Sequence, residues 1–168
     1  MADASVDGVH FRVVDAGSDE AVAAMRTYFA ELDARFEGGF DIGTALDDAV
    51  DGMNPPTGRF VVADLDGAVV ACGGVTLLAG PADALARTAE IKRMWVDASV
   101  RGIGLGRSML GRLEAEAAEI GATHVVLDTN RVLTQAIAMY ESAGYVATGR
   151  YNDNPYAHHW FTKELRRT

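Results

Sequence analysis

The segment Arg101-Gly102-Ile103-Gly104-Leu105-Gly106-Arg107 has the residue types and the spacing to hold a phosphate. It follows a strand-like run, Ala89 to Val96, and opens a helix-like run that ends at Ile120. Its glycines let backbone N–H groups approach a ligand closely. The helix behind them adds unpaired N–H groups and the positive end of its dipole. Together these make a seat for a phosphate or pyrophosphate.

Spacing discriminates among the phosphate motifs. A Walker loop needs Gly-Lys followed by Ser or Thr, which the chain lacks. The dinucleotide fingerprint needs a third glycine where this chain has Arg107 or Met109, depending on which glycine pair opens the count. What fits is Arg/Gln-x-x-Gly-x-Gly/Ala, with Arg101, Gly104 and Gly106 in the fixed places. This resembles the acyl-CoA pyrophosphate loop of the GNAT family of N-acetyltransferases. Two further anchors agree in order: Glu-Ile-Lys-Arg-Met-Trp-Val at 90–96, and Ala136-x-x-x-Tyr140-x-x-x-Gly144-Tyr145. The resemblance runs from Val9 to Leu165. It departs at Leu133, where many members carry Asn; Asn130 stands nearby as a candidate for that contact to the pantetheine arm.

The resemblance implies acetyl-CoA as co-substrate and no metal. The backbone of Gly102, Ile103, Gly104, Leu105, Gly106 and Arg107 would wrap the pyrophosphate, with Arg101 and Arg107 adding charge-assisted bonds. Met94, Trp95 and Val96 would pair their backbone with the pantetheine, as though adding a strand to the sheet. A primary ammonium, with a pKa of about 10, must lose a proton before it can attack. Glu90, placed eleven residues before Arg101 as family members place a strand glutamate, is the candidate base, directly or through a water. The competing reading is a strand glutamate paired with a neighbouring cation. Tyr140 is the candidate acid for the departing thiolate, against a plain core aromatic. The first two helices and the final hairpin nominate Tyr28, Arg35, Phe36, Arg93, Arg150, Tyr151, Asn152, His158 and His159 for the acceptor, with Arg35 a candidate for a substrate carboxylate. His158 and His159, adjacent on an expected strand, point to opposite faces and cannot share one metal.

The implied activity is transfer of the acetyl group to a primary amine of a small molecule, by direct attack in a ternary complex. A protein or peptide N-acetyltransferase and a non-catalytic acyl-CoA sensor are the alternatives. Cys72 has no evident base partner, which argues against an acyl-cysteine intermediate.

The elements that must position these residues are legible from periodicity and turn residues. Strands are expected at Val9–Val14, Arg59–Leu65, Ala68–Leu78, Arg87–Val96, His124–Asp128, Tyr145–Tyr151 and Ala157–Leu165. Helices are expected from Ser18 or Asp19 to Phe36, over Thr44–Val50, from the glycine loop to Ile120, and over Thr134–Ser142. Asp66-Gly67 reads as a hairpin turn, and Gly80-Pro81 opens a loop. The order β-α-α-β-β-β-α-β-α-β-β describes an α/β fold, a mixed sheet of seven strands flanked by four helices, and it is the GNAT element order.

At 168 residues the chain is expected to be a single domain, with 1–8 a flexible tail. Its net charge of −9 argues against nucleic acid. Yet residues 85–112 hold six basic and two acidic residues, a positive island on the glycine loop that suits an anionic cofactor. No apolar run is long enough for a membrane span, and the start lacks a signal-peptide pattern, so a cytoplasmic enzyme is expected. Family members are often homodimers, and no residue here decides that.

Overall fold

Four strands rich in β-branched and small apolar residues open the sheet: β1 (Val9–Val14), β2 (Gly58–Leu65), β3 (Ala68–Leu77) and β4 (Thr88–Val96). They pair antiparallel in chain order. Asp66 and Gly67 join β2 to β3 with φ of 51° and 83°, the double positive φ that a two-residue hairpin turn of this kind requires. The second half of the sheet is β5 (His124–Thr129), β7 (His159–Glu164) and β6 (Val146–Ala147). The computed structural model describes residues 6–80 and 87–166, and in it the strand order is β1-β2-β3-β4-β5-β7-β6. Among the described residues β4 and β5 form the one parallel pair, where the halves meet.

The alternation of side chains along β2 divides the core between two layers. Phe60 and Val62 face α1 (Asp19–Arg35) and α2 (Ala45–Gly52). Val61 and Ala63 face α3 (Leu105–Glu119) and α4 (Thr134–Ser142). α1 buries Ala21, Met25, Phe29 and Leu32 at helical spacing. Burial of Met25 and of Phe29 contributes about 1.5–3 kcal/mol each. The Ser18 hydroxyl caps this helix by accepting from the Ala21 N–H at 3.3 Å, and Asp19 and Glu20 complement its dipole.

The element order and the seven-strand, four-helix architecture agree with expectation. The largest departure is β6, expected over Tyr145–Tyr151 but only two residues long. After the Thr148 N–H bonds the Trp160 carbonyl, the chain leaves the sheet. It does so because Tyr151 and Asn152 turn inward to reach carboxylates, a set of bonds that competes with a ladder. β7 starts at His159 because the His158 N–H is spent on the Thr129 carbonyl. Of the expected tail, residues 1–5 lie outside the described residues. Val6 is half-buried against the core, and its carbonyl accepts from the Val9 N–H. The loop after Gly80 falls mostly outside the described residues. Among those described, no helix is long and apolar enough to cross a membrane.

Gly58 marks the tightest backbone approach, where the exit of α2 crosses the start of β2. A Cβ there would lie 2.0 Å from the Gly52 carbonyl oxygen and 2.7 Å from Met53 Cα. Backbone must move to admit it, so Gly58→Ala is expected to cost about 3 kcal/mol. A lowered denaturant midpoint at unchanged m-value is the readout.

Candidate active site

β4 and β5 share a ladder only where Thr88 to Glu90 face His124 to Val126. β4 then continues to Val96 and β5 to Thr129 with no rung between them. Facing backbone edges are left, whose N–H and C=O groups have no partner on the opposite strand. A cavity of about 670 Å³ occupies this gap, within the range of small-molecule sites.

A bulge sharpens the opening. Cys72 pairs with Trp95 and Gly74 with Lys92, so Arg93 and Met94 together oppose Gly73. Arg93 takes φ of 59°, a left-handed conformation costing a non-glycine residue about 1–2 kcal/mol. Bulges beside active sites re-aim side chains, and here Arg93 is turned toward α1 and α2, over the Phe29 ring. The Cys72 thiol donates to the Arg93 carbonyl at 3.3 Å, and burial pushes that thiol well above its usual pKa.

The glycine loop closes one end of the cavity. Gly104 caps α3 with φ of 87°, where a side chain is disfavoured. The N–H groups of Leu105, Gly106 and Arg107 have no intrahelical acceptor. α1 and α2 place acidic residues in their first turns, whereas α3 places none there. Its positive dipole end is therefore left for an anion. At Gly106 a Cβ would sit 3.2 Å from Met139 Sδ.

The cavity wall brings together Met94, Trp95, Val96, Arg101, Gly102, Gly104, Leu105, Gly106, Arg107, Asn130 and Tyr140 with Tyr28, Arg35, Arg93 and Asn152. Glu90, Ile103, Tyr151 and His158 lie outside that wall. Ile103 points to solvent, and His158 is exposed, its Nδ1 accepting from the Arg131 N–H. The Arg101 guanidinium donates to the Val96 carbonyl at 2.9 Å and to Glu31 at 2.5 Å, bracing the loop to α1. Glu31 also accepts from the Trp95 indole at 3.2 Å. The Asn130 amide is spent bridging the Tyr156 carbonyl and the Val132 N–H, which fixes the β5–α4 turn. Arg107 reaches the Ser142 hydroxyl, tying α3 to α4.

Two carboxylates lie at the end of the parallel seam. Glu90 is 6% exposed. It accepts from the Tyr151 phenol at 2.8 Å and the Asn152 amide at 3.2 Å, with Lys92 at 3.6 Å. The same Asn152 nitrogen donates to Asp128 at 2.6 Å, and Asn154 donates to the other Asp128 oxygen at 3.1 Å. Asp128 lines the cavity and Glu90 stands behind it, linked through one amide. Burial and the Glu90 charge push the Tyr151 phenol far up, so it stays a donor. Tyr140 is buried in the wall and is also pushed up, chiefly by burial. It keeps its proton across the physiological range.

Asp128 and Glu31 carry no motif in the sequence. The available signal for Asp128 was its place near the carboxyl end of a strand parallel to β4, where open α/β sheets bind ligands.

The profile of the acetyltransferase (GNAT) family matches residues 23–145. Over 96 residues the chain is 35% identical to an IAA acetyltransferase of Azospirillum brasilense, covering 57% of this chain and 60% of that one. It thus spans less than two thirds of that relative's length. An acetyltransferase from Streptococcus agalactiae superposes with a TM-score of 0.75 at 20% identity, over 95% of this chain and 100% of that one. A GNAT family acetyltransferase from Elizabethkingia anophelis with acetyl-CoA bound superposes at 0.64 and 17% identity, over 95% and 100% of the two chains. At such identities the structural likeness is one of fold. With the family profile running from α1 past the end of α4, the chain belongs to the acetyltransferase (GNAT) family.

Proposed function

We propose that this protein transfers the acetyl group of acetyl-CoA to a primary amine of a small molecule, by direct attack in a ternary complex. The observation that carries this reading is one cavity in which the open end of α3, the unpaired β4 edge, the Asp128 carboxylate and the Tyr140 phenol share a wall. The donor set fits the co-substrate: α3 amides and Arg107 for the pyrophosphate, and the Met94 to Val96 backbone for the amide-bearing pantetheine arm. The thioester supplies an already activated acyl group.

Asp128 takes the first proton from the bound ammonium, directly or through a water, and passes it to solvent. Glu90 and Asn152 hold that carboxylate in place. As the N–C bond forms and the C–S bond breaks, Tyr140 gives its proton to sulfur. The second proton leaving the nitrogen restores the phenol. An oxygen developing charge would meet backbone N–H groups along the β4 bulge.

A latch narrows the acceptor end. The Asp41 N–H donates to the Tyr156 hydroxyl at 2.9 Å, and the Phe40 and Tyr156 rings meet at 4.7 Å. This latch from the α1–α2 connection to the segment before β7 favours a compact amine over an extended peptide. Thiol release from acetyl-CoA across amino acids, polyamines, aryl amines and lysine peptides tests it. Turnover confined to peptides would refute the small-molecule reading. Tyr140→Phe is expected to lower kcat about 100-fold with little change in KM. An unchanged kcat would remove Tyr140 from the reaction.

A further inference from the structure

Two opposite charges in the cavity wall, Arg93 and Asp128, have no counter-ion among the described residues. The Arg93 Nε is buried with no hydrogen-bond partner. Its guanidinium reaches the Ala45 carbonyl at 3.4 Å and lies 5.5 Å from the Phe29 ring centroid. Arg12, Arg59, Arg101 and Arg112 each pair with a carboxylate, but among the described residues none pairs with Arg93. Removing a charge from water without a partner is costly. The strained φ adds to that cost, and such strain persists where the surroundings hold a residue to a task.

Asp128 is the complement. Its oxygens accept from two neutral amides, and among the described residues no cation pairs with it. Tyr28 lies within the fields of both groups, which pull its phenol in opposite directions, while burial holds it up to about 12 as a neutral donor. Around them Phe36, Phe40 and Tyr156 form an apolar wall continuous with Phe29.

We propose that the acceptor is an amino acid bound as a zwitterion, its ammonium on Asp128, its carboxylate on Arg93, and an apolar or aromatic side chain against the Phe36–Phe40–Tyr156 wall. This rests on the acetyl-transfer reading and names its substrate class. The carboxylate site is thus Arg93 rather than Arg35, which lies exposed at the rim with one 3.5 Å contact to the Val132 carbonyl.

The test pairs each amino acid with its decarboxylated amine: phenylalanine with phenethylamine, and leucine with isoamylamine. Thiol release measures turnover, and calorimetry on the protein saturated with CoA measures binding without turnover. The amino acids are expected to exceed their amines about 100-fold in kcat/KM and in affinity, because the amines leave the guanidinium unpaired. Arg93→Met is expected to abolish that preference, and Arg93→Lys to keep part of it. The paired ligands need no variant, so misfolding of Arg93→Met cannot mask the answer. Amines acetylated as well as amino acids would overturn the zwitterion site and leave acetyl transfer standing. Carboxylate-dependent binding without thiol release would support the site and overturn acetyl transfer. Absence of binding by either member of both pairs would overturn the inference.

Discussion

Asp128→Asn is expected to lower kcat/KM for the amine about 10²- to 10⁴-fold, the range spanned by loss of a positioned proton acceptor. The amide keeps the size of the carboxylate but can accept from only one of the two asparagines, so a thermal melt of the variant accompanies the kinetics. Acetyl-CoA affinity should be unchanged, because Asp128 bonds Asn152 and Asn154 and none of the glycine-loop amides. Glu90→Gln should cost less, about tenfold, since Glu90 touches the site only through Asn152 and Tyr151. Steady-state kinetics for both variants, with CoA binding measured separately, rank the two carboxylates. A larger loss in Glu90→Gln than in Asp128→Asn would reverse their roles.

Gly106→Val is expected to weaken acetyl-CoA binding about 100-fold, the effect of losing one or two charge-assisted N–H bonds to phosphate. Met139 Sδ already stands 3.2 Å from where a Cβ would be, and a branched side chain would also cover the amides that end α3. kcat at saturation should fall little, because Tyr140 and Asp128 are untouched. Titration with CoA gives the affinity, and a melting point shifted by only a few degrees would exclude global damage. Full affinity in a folded Gly106→Val would place the pyrophosphate elsewhere.

The architecture was written in local patterns. β1 and α4 fall where alternation and helical spacing put them, and Asp66-Gly67 turns the chain as its residue types demand. The glycine loop announced itself through three small residues ahead of an amphipathic helix. What stayed hidden depends on tertiary context. No local pattern says that Tyr151 and Asn152 prefer inward carboxylates to a sheet ladder, so alternation alone predicts a longer β6 than the two residues found. Asp128 follows the apolar run Val125–Leu127 and reads in the sequence as the boundary of that strand. The brace between Arg101 and Glu31 joins positions seventy apart, which no local pattern announces. Glu90 has the family's placement, yet the side chains that cover it, Tyr151 and Asn152, come from 61 and 62 positions further along the chain.

That short seam also divides the molecule into unequal dependencies. β1 to β4 form a meander whose rungs are all internal, while the β5-β7-β6 half adjoins it through three residue pairs and the helices packed beneath. The amides of Met94 to Val96 that face the gap are protected from exchange with solvent hydrogen only when something fills it. A ligand that bonds them acts as a temporary extra strand, so its free energy of binding becomes cohesion between the halves. Protein saturated with acetyl-CoA is then a more cooperative unit than the free chain, its slowest-opening region spreading across the seam instead of ending at Glu90.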